Sequence, residues 1–209
     1  MIAAAAGSAA RGVVAAMVDT AATGDRIRTL AEFRRFVDSW HEFYLMAGTA
    51  AVTLAGLLFI ALSLHMDVLV EERFKALLVV ARNTLGSFVL VLIVSLMMLV
   101  PDQSPRLVGT LMTAFATVFL ILMLREALGA IHHHHEDFSR AQVRRRLIFP
   151  LVGYAMLVLV GLSVRAGVIE MLFLNISIFC MLLANGTWSA WDIMVRVGRA
   201  KERAKREGA

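Results

Sequence analysis

Five apolar runs, at 43–64, 85–100, 107–124, 147–164 and 171–187, contain no Asp, Glu, Lys, Arg or His. Nothing else in the 209 residues constrains the fold as tightly. A helix rising 1.5 Å per residue needs about 20 apolar residues to cross a hydrocarbon core about 30 Å thick. Each run reaches that length once its flanking turns are added. A strand or an irregular segment would leave backbone N–H and C=O groups unpaired in lipid, whereas a helix satisfies its own. The expected fold is therefore all-α: a polytopic transmembrane bundle with spans at about 43–65, 80–100, 107–125, 147–164 and 168–188. Charged residues make up 18% of the chain, against about 25% in soluble domains, and nearly all fall outside the runs.

Basic residues give the threading. The first and third connections and the C-terminal segment together hold fourteen Lys and Arg, while the N-terminal segment and the second and fourth connections hold seven. The positive-inside rule then places the C-terminus in the cytoplasm and the N-terminus outside, which for a bacterial inner membrane is the periplasm. The short connections suit this arrangement. Pro101-Asp102-Gln103-Ser104-Pro105 stops one helix and starts another, and Gly167 is a natural helix cap in a tight hairpin. Arg165 and Glu170 flank that hairpin and are expected to pair. Trp40 and Tyr44 at one end, and Trp188 and Trp191 at the other, are expected as interface anchors. Arg82, near the start of the second span, is expected to snorkel toward the headgroups.

Residues 1–25 are Ala-rich and read as a disordered tail without a signal-peptide pattern. In 26–41, Ile27, Leu30, Phe33, Phe36, Val37 and Trp40 recur at helical spacing among four arginines. This segment is expected to be an amphipathic helix lying in the interface and running into the first span. The bundle then occupies 26–190, and 191–209 forms a basic cytoplasmic tail.

The first span is the least lipid-like. At 100° per residue, Glu42, Thr49, Thr53, Gly56, Ile60, Ser63 and Asp67 fall within about 40° of one line. Such a stripe suits a water-filled path around an oligomer axis, its carboxylates favouring cations. It equally suits a packing face, because small and hydroxyl residues pack membrane helices. Beside it, Ala47, Ala51 and Ala55 form a small-residue ridge. Thr84, Ser87 and Ser95 mark one face of the second span, and Asn175 and Asn185 should point into the bundle or at a neighbour. No carboxylate, lysine or histidine lies mid-span, which argues against ion-coupled transport.

Outside the spans, His132, His135 and Glu136 share the i, i+3, i+4 spacing that one helix face needs to hold Zn²⁺ or Ni²⁺, although a solvated histidine run reads the same way. Arg144, Arg145 and Arg146, with the Lys/Arg-rich segment 196–206, suit anionic lipid headgroups better than nucleic acid, for which no binding motif is present. Cys180 is the only cysteine, so no disulfide forms within the chain. No metalloprotease, hydrolase-elbow, phosphate-loop or Cys-x-x-Cys motif occurs, so neither an enzyme nor a cofactor is expected.

Trp40-x-x-Phe43-Tyr44, Gly48 and the stretch Leu54-x-Gly56-Leu57-Leu58-Phe59-Ile60-Ala61-Leu62-Ser63 resemble the first span of small uncharacterised bacterial integral membrane proteins. The resemblance implies a bacterial inner membrane and a multi-span helical fold. Some such proteins carry a label as modulators of a membrane-bound protease. Two functions are therefore expected: a homo-oligomeric passive channel lined by the first span, or a non-transporting scaffold or regulator of a membrane-protein partner such as a protease. Membrane lipids are partners in either case.

Overall fold

The computed structural model describes residues 30–64, 75–132 and 140–207, and among them every long element is helical and there is no strand. Helix α1 covers 30–39 and meets α2 (His41–Ser63) at a kink on Trp40. The chain continues through α3 (Lys75–Leu99), α4 (Pro105–His132), α5 (Arg140–Arg165), a 3₁₀ turn (Ile169–Phe173) and α6 (Leu174–Glu207). Five stretches are long and apolar enough to cross a membrane: His41–Ser63, Leu78–Leu99, Pro105–Glu126, Ile148–Arg165 and Ile169–Val195. The protein is thus a multi-pass helical membrane protein.

Several helices outrun their apolar runs. Charge is costly in hydrocarbon but Arg, Lys and Glu are good helix formers, so a helix need not stop where the membrane does. Accordingly α6 continues to Glu207, and the basic segment expected as a separate tail is helical along most of its length. Turn chemistry follows the sequence. Gln103 Nε2 donates to the carbonyls of Met97 (2.8 Å) and Val100 (3.3 Å), closing the end of α3. Ser104 Oγ accepts from Leu107 N–H (3.3 Å) and Pro105 opens α4. At the end of α5, Gly167 takes φ 95°, while the N–H groups of Gly167 and Val168 reach the carbonyls of Val164 and Ser163. That pattern is a Schellman cap.

Helix α3 is the centre, packed by α2, α4 and α6, and its Leu90, Val91, Val94 and Ser95 are fully buried. The closest approach joins α4 and α5. A Cβ on Gly161 would stand 2.5 Å from Thr113 Oγ1, and one on Gly109 would stand 2.6 Å from the Gly161 carbonyl oxygen. No side chain fits between these backbones. In lipid such contact replaces the hydrophobic drive that water would supply. Two buried polar links add specificity: Ser87 with Tyr154 Oη at 2.8 Å between α3 and α5, and Asn175 Nδ2 donating to Tyr44 Oη at 3.3 Å between α6 and α2.

The outer surface carries Leu45, Met46, Leu57, Phe59, Leu96, Val118, Leu159 and Phe173 exposed. Water-soluble monomers seldom expose contiguous apolar surface on this scale, and here hydrocarbon covers it. Trp188 and Trp191 are exposed midway along α6, just past the end of the apolar run 171–187, where interface anchors are expected.

Two expectations are corrected, and a third residue gains a partner. Tyr44 is 1% exposed and works as an interior hydrogen-bond partner rather than an anchor, because Asn175 faces it from α6. Arg82 pairs with Glu126 of α4 while its side chain stays exposed, which leaves the expected reach toward the headgroups open to it. Arg165 and Glu170 make no ion pair with each other: both are exposed, Arg165 at the end of α5 and Glu170 in the 3₁₀ turn.

Candidate functional site: the outward face of α2 and the α1 end

Helix α2 is the most peripheral span, with 22% of its apolar window buried against 50% for the α3 span. Its inward face is Tyr44, Ala47, Gly48, Ala51 and Leu58; the small residues let α3 come close, and a Cβ on Gly48 would stand 3.1 Å from that of Ser95. The alanine ridge is therefore the seam of the bundle. The polar stripe faces the other way. Glu42, Thr49, Thr53, Gly56, Ile60 and Ser63 are all exposed. Thr49, Thr53 and Ser63 donate to the carbonyls of Leu45 (2.8 Å), Thr49 (2.8 Å) and Phe59 (2.9 Å) one turn back in the same helix. Gly56 has open space where a Cβ would be, unlike the glycines that join the other helices.

The structure thus keeps six of the seven stripe residues on one outward line; the seventh, Asp67, lies outside the described residues. Among the described residues, the interior of a single bundle is a continuous cluster of buried apolar side chains. Its buried polar groups, Thr84, Ser87, Ser95, Asn175 and Ser189, sit among apolar neighbours, and Ser95 Oγ and Asn175 Oδ1 have no hydrogen-bond partner.

At the end of the bundle where α1 lies, Phe33 is buried and Phe36, Val37 and Trp40 are half-buried, while Arg34, Arg35 and Asp38 are exposed. The amphipathic reading holds, but the apolar face covers protein. Phe173 meets Phe36 and Trp40 edge-on, with ring centroids 5.3 and 5.4 Å apart. Arg34 pairs with Asp102 of the α3–α4 hairpin at 2.9 Å. Beneath that pair lies a cleft of about 280 Å³, floored by Phe33, Val37, Met97, Met98 and Val108 and rimmed by Arg34, Asp38, Asp102 and Gln103. Asp102 holds the rim with φ 58°, a left-handed conformation that Asp tolerates better than most residues.

Sequence reasoning missed this cleft. Its signals were present separately: the arginines of the amphipathic helix, and an acidic residue in a proline-bounded turn. Nothing local indicates that the two meet. Among the described residues no three metal-ligating side chains converge. His132 ends α4, and His135 and Glu136 lie outside the described residues. Arg144, Arg145 and Arg146 lie within α5.

No protein-family model, curated protein or solved structure matches the chain.

Proposed function

We propose that the chain is a subunit of a homo-oligomer in a bacterial inner membrane, with its C-terminus cytoplasmic, in which the α2 faces surround a shared axis and form a passive permeation path. One observation carries this reading: the stripe Thr49, Thr53, Gly56, Ile60 and Ser63 points out of the bundle, on the span least covered by its own chain. A path lined by this stripe has to lie between copies. Hydroxyls whose protons are already bonded to their own helix still present oxygen lone pairs, which favour cations over anions. No catalytic group is part of the proposal.

A second reading is favoured by the same hydrogen bonds. Hydroxyls bonded to the carbonyl one turn back are the form such residues take against lipid or a neighbouring helix, so the face also suits a scaffold or regulator that docks a membrane-protein partner, such as a protease. Ion flux through protein reconstituted in liposomes separates the two. The pore reading expects cation flux that a Thr53→Leu, Gly56→Leu variant abolishes. Absent flux, with a partner recovered by crosslinking at Thr53→Cys in native membranes, selects the scaffold.

A further inference from the structure

The cleft between α1 and the α3–α4 hairpin is independent of the α2 face and has its own chemistry. Met97 and Met98 precede the last residue of α3, Leu99, so the floor lies within about one turn, roughly 5 Å, of the span ends. That is the depth at which acyl chains give way to headgroups. The floor is apolar and, with two methionines, adaptable in shape. The rim carries one guanidinium and two carboxylates. Arg34 is engaged with Asp102, Gln103 spends its amide N–H on the end of α3, and Asp38 has no partner among the described residues. All three charged side chains are exposed at the mouth.

An occupant that suits this rim needs an apolar chain for the floor, a cation with N–H donors for the unpaired Asp38, and beside it an anion that can share the guanidinium N–H groups of Arg34 with Asp102. We propose that the cleft binds one aminophospholipid of the surrounding membrane, with its phosphate on Arg34, its primary ammonium on Asp38 and the start of an acyl chain over Met97 and Met98. A cavity of about 280 Å³ lies near the lower end of ligand sites, about 300 Å³, which suits a headgroup and the first part of a chain rather than a whole lipid. A choline headgroup has no N–H to donate, and a glycerol headgroup has no cation to set against two carboxylates.

The test uses the full chain, delipidated in neutral detergent. Native mass spectrometry would follow retention of ethanolamine, choline and glycerol phospholipids with identical acyl chains. The ethanolamine lipid should be retained about tenfold better than the other two, the usual worth of a charge-assisted hydrogen bond. Asp38→Asn should bring it down to the choline level, and Arg34→Gln should weaken it similarly. Both positions are exposed, so an unchanged melting temperature will verify folding, and each variant tests the rim without the other. Equal retention of the three lipids, or undiminished retention of the ethanolamine lipid in either variant, overturns the proposal. So does equally tight, Asp38-dependent binding of soluble phosphoethanolamine, which would assign the cleft to a free zwitterion instead.

Discussion

Gly161 and Gly56 are the same residue in opposite surroundings. The first lies against the backbone of α4, with Thr113 N 2.8 Å from where a Cβ would stand, and the second faces open space. Gly161→Ala should therefore destabilise the protein by about 1–3 kcal/mol, because the α4 backbone has no rotamer to yield. Gly56→Ala should change stability by less than about 0.5 kcal/mol. Thermal unfolding of the monomer in detergent checks both. The Tyr44–Asn175 pair gives a second prediction. Tyr44→Phe strands a buried amide whose Oδ1 already lacks a partner, and should cost about 1–2 kcal/mol. Adding Asn175→Leu should recover part of that loss; a double variant worse than Tyr44→Phe alone would refute the assignment. That Asn175 needs a partner was legible in the sequence, because an amide in hydrocarbon must be hydrogen-bonded; that the partner lies inside the bundle and not on a neighbouring subunit was not. The inward turn of Tyr44 was not, because a tyrosine at a span end serves equally well at the headgroups.

At the scale of elements, α1 is held by its contacts more than by its own length. Its described part is ten residues, 30–39, too short to be a stable helix alone. Its stability comes from Phe33 and from the rings of Phe36 and Trp40 against Phe173. Phe173→Ala should raise amide hydrogen exchange across 30–39 at least tenfold and leave the spans protected. Arg34→Gln should do far less, because an exposed ion pair contributes under about 1 kcal/mol and weakens in salt. The apolar period of 26–41 predicted a face for α1 but not what the face covers. A membrane surface and the end of a bundle offer the same greasy contact, and only the placement of Phe173 on the α5–α6 hairpin and of Asp102 on the α3–α4 hairpin distinguishes them.

At the scale of the whole molecule, α1, the α3–α4 hairpin and the α5–α6 hairpin gather at one end, and α6 carries the chain to the other. Single cysteines at Ser39, Asp102 and Ala166, in a Cys180→Ser background, should all be labelled by an impermeant maleimide from one side of the membrane, and one at Gly198 from the opposite side. In intact cells the proposed orientation puts the first three outside, and labelling of Gly198→Cys there would reverse it. Such an assembly of spans was only half legible. The number of spans and their helical form follow from sequence alone, because exclusion of charge and of unpaired backbone from hydrocarbon acts on each segment by itself. Which face of each helix turns inward does not follow, because lipid and protein core are equally apolar and no periodicity separates them. Steric fit decided that: Gly109 against Gly161, Gly48 beside Ser95, and the alanines of α2 turned to α3 while its hydroxyls were left outside.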